Sequence, residues 1–359
     1  MPLWPLLEAG ALKVFGAHLS VAMGLNAVIG ALVAWQAGAL ARDVAGQRAG
    51  RVAGVVVAIY PPLVANDVVP LSEPLGLLLL VVTIRLLGAR RLTWAALTTG
   101  LFVMTKNGAV VGALGALVLV LVLAGWRTAV KFLGVVTLVV APWLVRNEAQ
   151  VHSPVVTTSI GFNIAAVYSE QAQQAGGYFD DPMLDVAFSP WWPQQTNEAQ
   201  WDAALERLGL HGLRSDPLRV IPVAANNVAS LMGLHNQDGP ELLDGRVIRL
   251  VHDSMPIYYG VTLLGLGGLF YRRRSPVVRA LLAVVGPLLC LSMLTIYAPR
   301  LRAPFDLACA IGVGLLYASS HRLPADQPVE TVELLGSTPA ETSDPGSPSS
   351  QRAWLPLLR

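Results

Sequence analysis

Apolar residues gather into nine stretches, at about residues 18–41, 52–66, 74–88, 92–105, 109–125, 129–145, 256–271, 278–297 and 303–320. Their length and sparse charge predict membrane-spanning helices. Several are shorter than the ~20 residues that cross ~30 Å of hydrocarbon at right angles. Short spans imply local thinning of the bilayer, or helices that end inside a protein-lined cavity. In the second stretch Tyr60-Pro61-Pro62 removes backbone donors and predicts a kink or a stop. One long polar insert, residues 147–255, separates the sixth stretch from the seventh. Within it Trp201, Ala204, Leu205 and Leu208 recur at helical spacing. Ser215-Asp216-Pro217 then supplies a cap and a first-turn proline for a second helix reaching about Leu234. Gly176-Gly177 and Ser189-Pro190-Trp191-Trp192-Pro193 read as loops. Past residue 321 the chain turns to Pro, Ser, Thr and Glu, which predicts a disordered tail. The fold class that follows is an all-α integral membrane protein of about nine transmembrane helices with one partly helical insert on the outer face. It divides into N-terminal helices (1–146), the insert (147–255), C-terminal helices (256–320) and the tail (321–359).

Charge assigns the two sides. With the connections alternated across a bilayer, one side collects Arg42, Arg48, Arg51, Arg85, Arg90, Arg91, Arg127, Lys131, Arg272, Arg273, Arg274, Arg279 and Arg322. The positive-inside rule makes that side the cytoplasm. The reading is a multi-pass protein of the plasma membrane with its N-terminus and insert outside and its tail in the cytoplasm. Short outer connections should then be poor in cations, yet Lys106, Arg300 and Arg302 fall there. A cation kept against the rule suggests an anion to hold; the plainer alternative is snorkelling to lipid headgroups.

Composition agrees, with 54% hydrophobic residues against 13% charged and a mean hydropathy of +0.55, far from the usual soluble mix. A net charge of +2, with no basic run interleaved with aromatics, sets nucleic acid aside as a partner. Cys290 and Cys309 both lie in apolar stretches without metal-ligand spacing, so neither a disulfide framework nor zinc is indicated. Carboxylates do not cluster: Asp180-Asp181 is a single acidic step in a turn, and no metal or other cofactor is expected. The opening MPLWPLLEAGALKVFG lacks the features of a signal peptide and reads as an ordered segment beside the membrane.

Motif order brings in a family. Pro2-Leu3-Trp4-Pro5-Leu6-Leu7, Phe15-Gly16, Ala41-Arg42, Arg48-Ala49-Gly50, Tyr60-Pro61-Pro62-Leu63 and Leu71-Ser72-Glu73-Pro74 follow one another. Pro142-Trp143-Leu144-Val145-Arg146-Asn147, Gly161-Phe162-Asn163 and Pro299-Arg300-Leu301-Arg302-Ala303-Pro304 come later. Together they resemble the GT-C superfamily of polytopic glycosyltransferases, in particular bacterial relatives of protein O-mannosyltransferases and of the lipid A aminoarabinose transferase. The resemblance implies transfer of a sugar from a polyprenyl-phosphate carrier to an acceptor glycan, lipid or protein of the cell envelope, at the outer face of the membrane. Family members begin with a further transmembrane helix and an outer loop bearing an acidic residue. This chain starts just after that point, so the resemblance also implies either a shortened, inactive relative or a start placed further upstream.

Such chemistry needs a cation for the departing phosphate and a carboxylate for the acceptor's proton. Arg300 and Arg302, two apart on a short loop, offer guanidinium forks for phosphate oxygens, and Lys106 a point charge from a neighbouring connection. Glu73, at the outer start of the third stretch with Ser72 as a candidate cap, is the carboxylate on that side; the helix dipole alone also favours it there. Asp67 shares the connection and is a second, weaker acidic candidate. Asn147 and His152 follow the sixth stretch and could line a sugar site, whereas Trp191 and Trp192 fit interfacial anchors better than sugar platforms. Two other classes compete. A non-catalytic membrane subunit would keep the phosphate grip without the base. A secondary transporter would show internal repeats and a midplane relay of polar groups; no two-fold repetition is seen, His18, Gln36 and Arg85 lie toward the ends of their stretches, and one long insert argues against it.

Overall fold

The computed structural model describes residues 1–174, 197–234, 253–295 and 299–320. Among these every regular element is a helix. The N-terminal part comprises α1 (Leu3–Phe15), α2 (Leu19–Ala45), α3 (Gln47–Ile59), α4 (Pro61–Asp67), α5 (Glu73–Gly88), α6 (Leu92–Val103), α7 (Ala109–Ala124) and α8 (Trp126–Val151). The insert contributes α9 (Ile160–Tyr168), α10 (Glu170–Gln174), α11 (Glu198–Ser215) and α12 (Val220–Leu231), and the C-terminal part α13 (Met255–Tyr271), α14 (Pro276–Leu294) and α15 (Ala303–Ser320). Helices thus occupy each apolar stretch. Among the described residues four segments are long and apolar enough to cross a membrane: α2, α8, α14 and Arg300–Ser319; α3 and α4 make a fifth if that bent pair is one span. Helices α6, α7 and α13 are apolar but shorter.

The 58° bend between α3 and α4 has a local cause. Tyr60, preceding a proline, is held extended at φ −72° and ψ 112°. Pro61 and Pro62 then open the next helix, where missing donors cost nothing. Gly46 at φ 86° and Gly125 at φ 80° end α2 and α7 in a backbone conformation that only glycine enters freely.

Helix α15 is the hub. Of its apolar window 67% is buried, against 17% for α8, whose Val130, Leu138 and Val145 stand exposed. Glycines let α15 approach its neighbours closely: a Cβ on Gly268 of α13 would sit 1.9 Å from the Gly312 carbonyl, and Gly314 rests on Ala49 and Ala53 of α3. Without a hydrophobic drive between helices in lipid, such backbone contact is a main source of association.

In the insert, Asn197 caps α11 by accepting from Gln200 N–H at 2.9 Å, and its amide donates to the Val151 carbonyl at the end of α8 at 2.9 Å. Asp202 accepts the Gly161 N–H at 2.7 Å and so caps the neighbouring α9. The cap predicted at Ser215-Asp216-Pro217 takes another form. Asp216 makes no side-chain cap, Pro217–Arg219 wind a 3₁₀ turn, and α12 runs only over Val220–Leu231. The readings made for Gly176-Gly177, Asp180-Asp181, Trp191, Trp192 and the tail lie outside the described residues.

Candidate functional site

Three connections meet at one end of the bundle: residues 68–72 before α5, 104–108 before α7, and the turn Pro299–Arg302 before α15. The insert belongs to the same end, because Asn107 donates to Ser159 just ahead of α9. At the other end Arg85 of α5 grips Asp43 of α2 at 2.9 and 3.0 Å. Between the three connections lies a cleft of about 470 Å³. Trp4, Pro5, Leu288 and Leu291 give it apolar walls, and Ser72, Asn107, Asn163 and Thr295 add polar ones.

Its charged side chains are those of Glu73, Lys106 and Arg300. Glu73, only 5% exposed, places Oε1 3.5 Å from Lys106 Nζ and 4.0 Å from Arg300 Nε. Among the described side chains that line the cleft, two cations stand against one carboxylate, a balance that suits an anion.

Each of the three is set by its own elements. Asn26 of α2, fully buried, donates to the carbonyls of Val69 and Leu71 and so anchors the strand of chain leading to Glu73. Ser72 lines the cleft and makes no side-chain cap, unlike the role predicted for it. Lys106 follows the end of α6, whose Met104 carbonyl accepts the Leu3 N–H at 3.1 Å. Ahead of Arg300, helix α14 runs out with open carbonyls that cannot be left bare. The insert supplies the donors: Asn227 to Met293 and Thr295 at 3.0 and 2.6 Å, and the Tyr168 hydroxyl to Leu294 at 2.6 Å. Burial raises the Tyr168 phenol above its ordinary value, so the hydroxyl keeps its proton for that bond.

Arg302 has a different place from Arg300. It is 1% exposed, donates through Nε to Asp306 at 3.1 Å and through Nη1 to the Leu231 carbonyl, and lies over the Tyr258 ring at 3.9 Å. Two residues apart on a 3₁₀ turn, side chains point roughly 120° apart, so Arg300 faces the cleft while Arg302 ties α12, α13 and α15 together. Asp67 does not line the cleft; its carboxylate lies against α2, where a Cβ on Gly30 would sit 2.2 Å from Oδ2. Asn147 is buried and structural in its bonding, donating to Val155 O at 2.7 Å and accepting from Arg146 at 2.9 Å. His152 ends α8 at φ 51°, exposed.

Asn26, Tyr168 and Asn227 escaped the sequence reading as members of this site. Only an amide or hydroxyl isolated in an apolar run could have flagged them, and such groups name no partner. Among the described residues, no group of three or more His, Cys, Asp or Glu is placed to hold a metal ion. Comparison of the chain with protein-family models and with curated proteins finds no match.

Proposed function

We propose that the chain is a membrane glycosyltransferase of GT-C type, with about nine helices crossing the bilayer and the cleft opening on the outer face. One observation carries the reading: residues 73, 106 and 300, far apart in sequence and singled out for their chemistry, meet in one cleft, two cations beside one carboxylate. In the reaction, the acceptor oxygen forms a bond to the sugar's anomeric carbon while the bond from that carbon to the donor phosphate oxygen breaks. The polyprenyl phosphate leaves with the electron pair, its charge stabilised by Lys106 and Arg300. Glu73 takes the proton of the acceptor hydroxyl. Arg302, Asp306, Asn227 and Tyr168 serve by holding the elements that carry Arg300.

The test is binding, then transfer. The full chain in neutral detergent micelles is titrated with decyl phosphate, with decanol as the uncharged control. Lys106→Gln and Arg300→Gln are each expected to weaken decyl phosphate binding by about tenfold or more, the cost of losing a charge-assisted contact. Unchanged binding in both variants sinks the phosphate assignment. The non-catalytic subunit is the second reading, favoured by the engagement of Glu73 with both cations. In proteoliposomes supplied with polyprenyl-phosphate sugars, transfer that persists in full in E73Q removes Glu73 as the base.

A further inference from the structure

The place proposed for phosphate already holds a protein anion. Glu73 spreads one carboxylate oxygen across Lys106 and Arg300 at 3.5 and 4.0 Å, in a position 5% exposed. The cations differ in access: the Lys106 side chain is 14% exposed and that of Arg300 37%. A phosphate entering from the open side reaches Arg300 first and Lys106 behind it. If Glu73 stayed in place, two anions would then face each other across the same pair of cations in a partly dry pocket. Glu73 also has a second source of stabilisation. It is the first residue of α5, whose N-terminal amides favour a negative charge in the absence of any cation.

Building on the phosphate reading above, we propose that Glu73 is the resident counter-ion of the cleft and that the donor phosphate displaces it from Lys106 and Arg300. Seating the donor and releasing the carboxylate become one event. No covalent bond changes in this exchange: one anion takes the place of another, and the carboxylate turns toward the remaining space of the cleft. An acceptor arriving before the donor meets a carboxylate engaged elsewhere, so proton abstraction waits until a sugar is present. The arrangement is then a device for ordered binding, donor before acceptor.

Direction of effect separates this from a purely positioning role. If Glu73 only aligned the two cations, removing its charge would let them splay and weaken phosphate binding. If it competes, removing its charge takes away the anion that phosphate has to displace and strengthens binding. The experiment titrates decyl phosphate into the purified full chain in neutral detergent micelles, with decanol as control, for the unaltered protein, E73Q and E73D. Expected are a preference of the unaltered protein for decyl phosphate over decanol and about tenfold tighter phosphate binding by E73Q. E73D, which keeps the charge, stays within about threefold of the unaltered protein. Phosphate binding by E73Q that is equal or weaker, with the unaltered protein still preferring phosphate, overturns the exchange and leaves the phosphate site standing. A gain in E73D equal to that in E73Q traces the effect to packing and also overturns it. No preference for phosphate in the unaltered protein overturns both readings.

Discussion

Arg302 and Asp306 form an ion pair that is 2% exposed on each side chain, closed by the Tyr258 ring and the Leu231 carbonyl. Removing one partner of such a pair strands the other charge, at a cost of roughly 3–5 kcal/mol, whereas removing both is much milder. R302M is therefore expected to destabilise by about that amount and R302M/D306L to recover most of it, as read from unfolding of the purified protein in denaturing detergent. A double variant as unstable as the single one would remove the pair from its fastening role. Asp202 offers a test with pH. Burial raises its folded value above the ordinary carboxylate range, outweighing the N–H bond from Gly161. The folded state thus takes up a proton more readily than the unfolded chain. The cost of ionising it is absent below about pH 4 and complete above the raised folded value. Stability falls as pH climbs through that window, and D202N flattens the fall; melting curves that keep the same slope in D202N refute the assignment.

At the scale of elements, the end of α14 is finished by side chains from the insert. Asn227→Ala strips donors from two carbonyls, Met293 and Thr295, and should cost about 1–3 kcal/mol. Because that helix end leads into the turn bearing Arg300, N227A is also expected to weaken decyl phosphate binding although residue 227 does not line the cleft. Loss of stability with phosphate affinity unchanged would limit Asn227 to a structural part. The α13–α15 contact is equally specific. Gly268→Val would drive a side chain into the Gly312 carbonyl, 1.9 Å from the first added atom, and forced separation of the helices should cost at least ~2 kcal/mol by detergent unfolding. Valine tolerated there without loss would show that these helices pack more loosely than described.

For the whole molecule, the prediction is sidedness. In a background lacking Cys290 and Cys309, Asn107→Cys and Ser159→Cys should react with an impermeant thiol reagent from outside the cell. Arg90→Cys and Arg274→Cys should react only after permeabilisation. Labelling of all four from one side would dissolve the bundle orientation and the outer-face cleft with it. The periodicity of apolar residues sufficed to locate helices at all nine stretches, because burial in lipid or in a helical core demands continuous apolar runs whatever the neighbours. Proline chemistry likewise sufficed for the bend after Tyr60, a local steric effect. Charge against the positive-inside pattern pointed to Lys106, Arg300 and Arg302 together, but it could not part the last two. Their separation depends on the winding of one short turn and on what surrounds it: Asp306, Tyr258 and the Leu231 carbonyl for one, Glu73 and the cleft for the other. Nor could one-dimensional spacing bring residues 73, 106 and 300 within 4.0 Å of a shared carboxylate oxygen, or lend Asn227 and Tyr168 to the end of a helix more than sixty residues away. What lies in a helix is written in local pattern. Which charges meet is set by how helices pack, since Coulomb and hydrogen-bond energies depend on distances that only the packed chain defines.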